Sequence, residues 1–347
     1  MARIAYLLGA GASYGTRVNG KIKTGLPIVQ EVLNELKSFH DWLDGRFSNI
    51  DKMSSSDIDA QKSLVRDIEL LQILLDKDSI NLFNTPDELE YTLFNIFTRL
   101  LPGKNKDSII CCYSKIKFIL CCLLMYEQNV HDYDKRYNAL LKKYICEQKK
   151  NISDDVFIMT WNYDQQMEIA YSTLFNEVLP VCTASDKIID FNSNILKING
   201  TANFYNRNKL PVKIYNKLNE EELFRKIINQ YAISHKEYVG HRHIFSDGTF
   251  TLFFSWEGEW FESKKTFISQ KIKDVEQLIV IGYSFPDANY EVDSYIINHM
   301  HKLRTVYIQD IADTPKKNFY TLLQRLSLEN TVTVKAISDV SSFFIPK

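Results

Sequence analysis

The sequence lacks any pair of cysteines separated by two residues, the spacing with which zinc ribbons bind a structural metal. The cysteines are Cys111, Cys112, Cys121, Cys122, Cys146 and Cys182. Most of them lie in apolar helical sequence, where a free thiol packs as a small buried hydrophobic group. No secretory signal stands in the first residues. We therefore expect a cytoplasmic protein without a bound metal.

The sequence also lacks a long apolar run and a strong net charge. Its longest strongly apolar stretch runs from Phe118 to Tyr126, which is too short to span a bilayer. The formal net charge is -1 at pH 7, and the sequence pI is about 6.7. This balance indicates no general attraction to nucleic acid or to anionic lipid. We expect neither a membrane nor a nucleic acid as a direct partner.

What the sequence does contain is a series of short apolar runs, typical of buried strands, that alternate with helical patterns. The predicted strands are Ile4–Leu8, Val156–Thr160, Ile195–Ile198, Leu278–Ile281 and Thr305–Ile308. Alternating strands and helices predict an α/β fold with a Rossmann-like, doubly wound parallel sheet.

The pattern changes between the first two of these strands. Over residues 35–150, leucine and isoleucine recur at three- and four-residue intervals, and β-branched runs are few. We interpret 35–150 as a large all-helical insertion. Residues 1–34 and 151–347 are then assigned to one Rossmann-type, nucleotide-binding domain.

Ligands of an open parallel sheet bind beyond the carboxyl ends of its strands, so the residues that follow each strand are candidate contacts. The first strand is followed by Gly9-Ala10-Gly11-Ala12-Ser13, whose small side chains let backbone amides approach a pyrophosphate. This loop lacks the third glycine of the dinucleotide fingerprint. Taken alone, it is explained equally well by a tight turn from strand to helix without a ligand.

Polar motifs also follow the later strands. They are Thr160-Trp161-Asn162-Tyr163-Asp164, Lys197-Ile198-Asn199-Gly200-Thr201, Gly282-Tyr283-Ser284-Phe285-Pro286-Asp287 and, after the last predicted strand, Asp310. In this order, and after the glycine loop, they resemble the motifs of the sirtuin superfamily, and more closely those of its bacterial branch in antiphage defence. The resemblance covers about the first 35 residues and residues 151–315.

The resemblance implies NAD as the ligand and substrate, and cleavage of its nicotinamide–ribose bond to give nicotinamide and ADP-ribose. It places at the cofactor Gly9, Ala10, Gly11, Ala12, Ser13, Thr160, Gly282, Tyr283, Ser284 and Asp310. Asn162 is our first catalytic candidate, because an amide has both a donor and an acceptor with which to hold ribose hydroxyls or orient water. Asp164 either orients Asn162 or caps the following helix.

The second catalytic residue of the family is a histidine, and Asn199 stands at its position. An amide does not take up a proton near neutral pH, and loss of a general base costs ~10²- to 10⁴-fold in rate. Three explanations are open. They are natural loss of activity, an introduced inactivating substitution, and compensation by His235, His241 or His243.

The resemblance further implies a homo-oligomeric effector of abortive infection, with a partner such as a HerA-type ATPase or an Argonaute-like sensor. Deacylases of the family usually carry a four-cysteine zinc module, whose spacing is missing here. We therefore expect an NAD hydrolase of antiviral defence. The alternative is a catalytically impaired subunit that binds NAD or ADP-ribose and serves as a regulator or scaffold of a defence complex.

Overall fold

The computed structural model describes the chain in ten stretches. They are residues 3–28, 31–46, 54–82, 106–146, 151–179, 181–183, 193–204, 218–240, 250–252 and 259–346. The strands are β1 (Ile4–Leu8), β2 (Thr16–Val18), β3 (Lys21–Thr24), β4 (Ile145–Cys146), β5 (Asn151–Ile152), β6 (Val156–Thr160), β7 (Cys182–Thr183), β8 (Ile195–Lys197), β9 (Gly200–Phe204), β10 (Phe250–Leu252), β11 (Gln277–Ile281), β12 (Thr305–Gln309) and β13 (Thr333–Ile337).

Helices occupy much of the remaining described chain. The α-helices are α1 (Val32–Gly45), α2 (Ser55–Leu82), α3 (Lys106–Val130), α4 (Arg136–Tyr144), α5 (Gln166–Phe175), α6 (Glu220–Gly240), α7 (Glu259–Ile272), α8 (Tyr290–Asn298) and α9 (Thr314–Arg325). Short 3-10 helices, Ala10–Ser13 and Asp287–Asn289, lie in the loops after β1 and β11. None of the described helices combines the length and apolar character needed to cross a membrane.

The main sheet has seven strands in the order β13-β12-β11-β1-β6-β8-β7. Every adjacent pair is parallel, which confirms the predicted Rossmann-like α/β fold. The chain leaves β1 towards β6 on one side and later returns to β11 on the other side. The carboxyl ends of β1 and β11 therefore flank the crossover point at which open α/β sheets bind their ligands.

The central strand β1 is buried on both faces of the sheet. Ala5 and Leu7 belong to one apolar cluster, and Tyr6 and Leu8 belong to a second cluster on the opposite face. This division follows from the alternation of side chains along a strand. It explains why the strand sequence is apolar throughout, since neither face meets water.

The chain divides into two compact units. The first comprises Met1–Leu26, His131–Thr201 and Phe253–Lys347 and contains the main sheet, and the second comprises Pro27–Val130 and Ala202–Leu252. Of the segment 35–150 interpreted as an insertion, residues 35–130 lie in the second unit, whereas α4 lies in the first. The second unit also includes α6. Helical periodicity in the sequence does not show to which unit a helix belongs, because an amphipathic helix can bury its apolar face in either unit.

The second unit is built from α1, α2, α3 and α6, which pack against one another. Trp42 of α1 lies at the centre of an aromatic group. Its ring centroid is 5.0 Å from that of Tyr126 on α3 and 6.0 Å from that of Phe224 on α6. Large rings of this kind dominate the packing energy of a helical core.

Gln309, at the end of β12, holds the segment that follows β13. Its Nε2 donates hydrogen bonds to the carbonyl groups of Asp339 and Ser342, and its Oε1 accepts one from the amide of Phe344 at 2.9 Å. The side chain is buried. Its amide therefore replaces the water that these three backbone groups would otherwise bind.

We predict that Gln309→Leu lowers the free energy of unfolding by about 2–4 kcal/mol, because three backbone groups lose their partner while remaining enclosed. Urea denaturation measures this change. The matched control is Gln324→Leu on the exposed side of α9, for which we expect a change within about 0.5 kcal/mol. Equal effects of the two substitutions would contradict the role given to Gln309.

Candidate nucleotide-binding site

The loops that follow β1 and β11 are in direct backbone contact. The amide of Gly9 donates to the carbonyl of Ile281 at 3.0 Å, and the amide of Gly11 donates to the carbonyl of Gly282 at 3.0 Å. Both amides belong to the loop from which the sequence predicts contacts to a pyrophosphate. In the structure they bond to protein, so the role of these glycines is to let the two loops meet at the crossover point.

No side chain fits at this contact. A Cβ on Gly11 would lie 2.7 Å from the Cα of Gly282, and a Cβ on Gly282 would lie 2.4 Å from the Cα of Gly11. Gly282 also has a φ of 59°, a left-handed conformation that costs other residues about 1–2 kcal/mol. Within the first loop, Ala12 is buried and Ala10 is exposed. Glycine is therefore required on both sides of the contact.

Asn162 ties the end of β6 to the glycine loop. Its Nδ2 donates to the carbonyl of Gly9 at 2.8 Å and to Oγ of Ser13 at 3.1 Å. Its backbone amide donates to Oγ1 of Thr160 at 3.0 Å, and its side chain is buried. The structure thus brings together four of the predicted site residues. The amino group of Asn162 is used in hydrogen bonds within the protein. Its acceptor Oδ1 is therefore the atom suited to a ribose hydroxyl or a water.

Asp164 is buried at the start of α5. Its Oδ1 accepts from the backbone amide of Gln166 at 2.9 Å, as a carboxylate at a helix start does. Burial raises the pKa of the Asp164 carboxyl above its ordinary value, although Lys197 and the hydrogen bonds from Gln166 and Ser13 lower it. Because Ser13 also bonds to Asn162, Asp164 both serves the helix start and supports the loop that holds Asn162.

Asn199 lies beside the loop that follows β6. Its Nδ2 donates to Oη of Tyr163 at 3.3 Å and to the carbonyl of Trp161 at 3.5 Å. The side chain is 7% exposed, and its Oδ1 has no hydrogen-bond partner among the residues that the structure describes. A buried acceptor left in this state costs about 1–3 kcal/mol. The oxygen therefore keeps its capacity to accept a hydrogen bond.

Tyr283 belongs to the apolar core beneath the second loop. Its ring stacks on that of Trp161, with centroids 5.6 Å apart and an interplanar angle of 16°. Its hydroxyl donates to Oδ2 of Asp293 at 2.8 Å and accepts from Nδ2 of Asn289 at 3.1 Å. Only 6% of the residue is exposed. The ring thus supports the loop from the core, and both Cα and Cβ of Tyr283 lie next to Gly9.

Ser284 and Asp310 lie at neighbouring strand ends but bond to different partners. The carbonyl of Ser284 accepts from Nδ2 of Asn318 at 2.8 Å. Oδ1 of Asp310 accepts from the amide of Ala312 at 2.9 Å. Both residues are half-buried, and both lie at the carboxyl edge of the sheet on the side of β11 and β12.

Of the three histidines proposed to compensate for Asn199, one lies among the described residues. His235 lies on α6 and so belongs to the second unit. His241 and His243 lie outside the described residues. Compensation by a histidine stays a prediction.

Three residues that were not predicted as site residues contact the glycine loop from α4 and the turn before it. Oη of Tyr137 lies 3.0 Å from Oγ of Ser13, Oδ2 of Asp134 accepts from the amide of Gly15 at 3.0 Å, and Arg136 donates to carbonyl groups of the loop. These contacts join distant parts of the sequence. The only local signal is an acid and a base at a helix start, a pattern that many surface helices share.

Comparison with protein-family models found no match to this chain, and comparison with curated proteins found none either.

The contact between the two loops predicts a large difference between two glycine substitutions. Gly282→Ala should lower the free energy of unfolding by about 3 kcal/mol or more, because its Cβ meets backbone atoms that cannot move aside. Gly20→Ala is the matched control, since Gly20 has a φ of 74° but no neighbour within 4 Å of a Cβ, and it should cost about 1–2 kcal/mol. Similar losses in urea denaturation would show that only the backbone conformation matters at Gly282.

The buried Asp293 carboxyl predicts a pH-dependent stability. Burial raises its pKa well above the ordinary value, so the folded chain keeps a proton that the unfolded chain releases above about pH 4. Stability is therefore lost as the pH rises from that point. Asp293→Asn preserves an acceptor for Tyr283 and removes the titration, so its free energy of unfolding relative to the unmodified protein should increase between pH 4 and pH 8. A pH-independent difference in urea denaturation would contradict this account.

Proposed function

We propose that the chain binds NAD in the crevice between the ends of β1 and β11 and hydrolyses the nicotinamide–ribose bond. The observation that carries the proposal is the meeting of the loops that begin at Gly9 and Gly282 where the strand order reverses, with Asn162 hydrogen-bonded to Gly9. The resemblance of these segments to sirtuin motifs supports the same ligand. The buried Oδ1 of Asn199 supports it as well, since ribose offers hydroxyl donors.

The reaction breaks the bond between nicotinamide nitrogen and ribose carbon and forms a bond from water oxygen to that carbon. Nicotinamide leaves as a neutral molecule, and the water releases a proton to solvent. Positive charge develops on the ribose, so positioning and fixed dipoles contribute more than acid catalysis. In this proposal Oδ1 of Asn162 orients the water or a ribose hydroxyl, and Oδ1 of Asn199 accepts a hydrogen bond from ribose.

The wider part of the proposal follows the resemblance. It includes a role in bacterial antiphage defence, a cytoplasmic location and assembly into a homo-oligomer. A partner such as a HerA-type ATPase or an Argonaute-like sensor would then control the activity.

A second candidate function is binding without turnover. The observation that favours it is that the polar groups nearest the proposed reaction are two amides, Asn162 and Asn199, neither of which takes up a proton at neutral pH. In that case the chain acts as a regulatory or scaffold subunit that holds NAD or ADP-ribose.

The test is incubation of the purified chain with NAD, with nicotinamide release followed by chromatography. We expect release from the unmodified protein and none from Asn162→Ala. Isothermal titration with ADP-ribose, which lacks nicotinamide, measures binding separately. Binding without release would reject the hydrolase in favour of the second candidate, and absence of both binding and release would reject both functions.

Asn199→His provides a gain-of-function test. A histidine supplies the group that takes up a proton near neutral pH, so we expect nicotinamide release to increase by about 10²- to 10⁴-fold. The matched control is Asn219→His, at an exposed position before α6, which should leave the rate unchanged. An unchanged rate in Asn199→His would mean that the chain does not use a base at this position.

A further inference from the structure

Arg136, the first residue of α4, donates hydrogen bonds to backbone carbonyl groups of the glycine loop. Its NH2 group donates to the carbonyl of Gly11 at 3.0 Å and, more weakly, to that of Ala12 at 3.5 Å. Its NH1 group donates to the carbonyl of Val340 at 3.1 Å. The side chain is only 14% exposed, so these bonds form largely away from water.

Asp134 binds this guanidinium and also accepts a hydrogen bond from the other end of the same loop. Nε and NH2 of Arg136 both donate to the Asp134 carboxylate, at 2.9 Å and 2.6 Å to Oδ2. The same Oδ2 accepts from the amide of Gly15 at 3.0 Å. The Asp134 side chain is 3% exposed. The pair therefore contacts a carbonyl at the start of the segment Gly11–Gly15 and an amide at its end.

The segment after β13 also contacts the guanidinium of Arg136. The Cζ atom of Arg136 lies 4.9 Å from the ring centroid of Phe343, a distance typical of a cation–π contact. Phe343 in turn packs edge-on against Tyr137, whose hydroxyl lies 3.0 Å from Oγ of Ser13. Arg136 is thus enclosed by the carboxylate, the ring and the loop carbonyls, which leaves its plane a single orientation.

A lysine cannot reproduce this arrangement. The planar guanidinium directs several N–H donors along fixed directions and so bonds to a carboxylate and to separate carbonyl groups at once. An ammonium group has three donors at one point and cannot span these acceptors. These contacts therefore depend on the planar shape and the several donors of the Arg136 guanidinium as well as on its charge.

We propose that Arg136, held by Asp134, is a positioning residue that keeps the loop Gly9–Gly15 in the conformation that binds the phosphates of the nucleotide. This inference rests on the proposed function, because it concerns the same site. Arg136 does not contact the ligand. It acts through the loop, because it holds the carbonyl groups of Gly11 and Ala12 while Asp134 holds the amide of Gly15.

The test uses Arg136→Lys, with Asp134→Asn as a second variant that keeps the shape of the carboxyl group. Isothermal titration measures the affinity for ADP-ribose, and hydrogen exchange measures amide protection in residues 9–15 of the ligand-free protein. We expect ADP-ribose to bind about tenfold more weakly to either variant. We also expect exchange in residues 9–15 to become faster by a similar factor, while exchange in β6 and β12 stays unchanged.

Two controls separate positioning from a general loss of stability. Arg225→Lys makes the same chemical change in an exposed pair with Glu221. Ile268→Val removes one buried methylene from α7, which packs in the cluster on the other face of the sheet. Neither should alter affinity or exchange in residues 9–15. If the unmodified protein turns over NAD, Arg136→Lys should raise KM by about tenfold and change kcat less than about twofold.

The outcomes distinguish this inference from the proposed function. Unchanged exchange in residues 9–15 of both variants, or a change equal to that in Ile268→Val, overturns the positioning role. Faster exchange with unchanged ADP-ribose affinity also overturns it. If the unmodified protein binds no ADP-ribose, the nucleotide site is wrong, and the inference that the loop is positioned for phosphates falls with it whatever the exchange shows.

Discussion

The site depends on one constraint, the approach of two backbones at the carboxyl ends of β1 and β11. The parallel pairing of these strands brings Leu8 beside Ile281, and the chain then continues into glycines on both sides. Because a Cβ on Gly282 would overlap backbone atoms of Gly11, the two loops form one surface. The polar groups of the site are arranged around this contact.

Behind that surface lies a network of hydrogen bonds from parts of the chain far apart in sequence. Ser13 is its common member, with bonds to Asn162 and Tyr137. A buried network in which each member has a partner defines one arrangement of its residues, since any alternative leaves polar atoms unpaired. Asn199 does not bond to Ser13, and its Oδ1 is one of several buried polar atoms without a partner among the described residues. The network therefore fixes the glycine loop in one arrangement.

Much of the fold was predictable because it follows from local rules. The five strands predicted from apolar runs all lie in the main sheet, as β1, β6, β8, β11 and β12. The edge strands β7 and β13 were not predicted. β7 has only two residues, and every position of β13 is exposed or half-buried, so neither contains the continuous apolar run that marks a strand buried on both faces.

The proximity of the candidate residues was predictable in part for the same reason. Parallel strands end at one edge, so Asn162 and the glycine loops had to be neighbours. The sequence did not predict which polar atoms of the loop already form hydrogen bonds within the protein. The amides of Gly9 and Gly11 bond to the other loop, and Arg136 reaches the loop from a helix that local periodicity groups with the second unit. Such contacts depend on the path of the chain between strands, which no short motif encodes.

The register of β1 has a consequence for folding. Ile4 pairs with Gln277 as well as with Val156, so β1 completes its pairing only when it meets strands that lie far along the sequence. Closing so long a loop carries a large entropic cost and slows folding. The contact between the loops after β1 and β11 therefore depends on a pairing between residues that are far apart in the sequence.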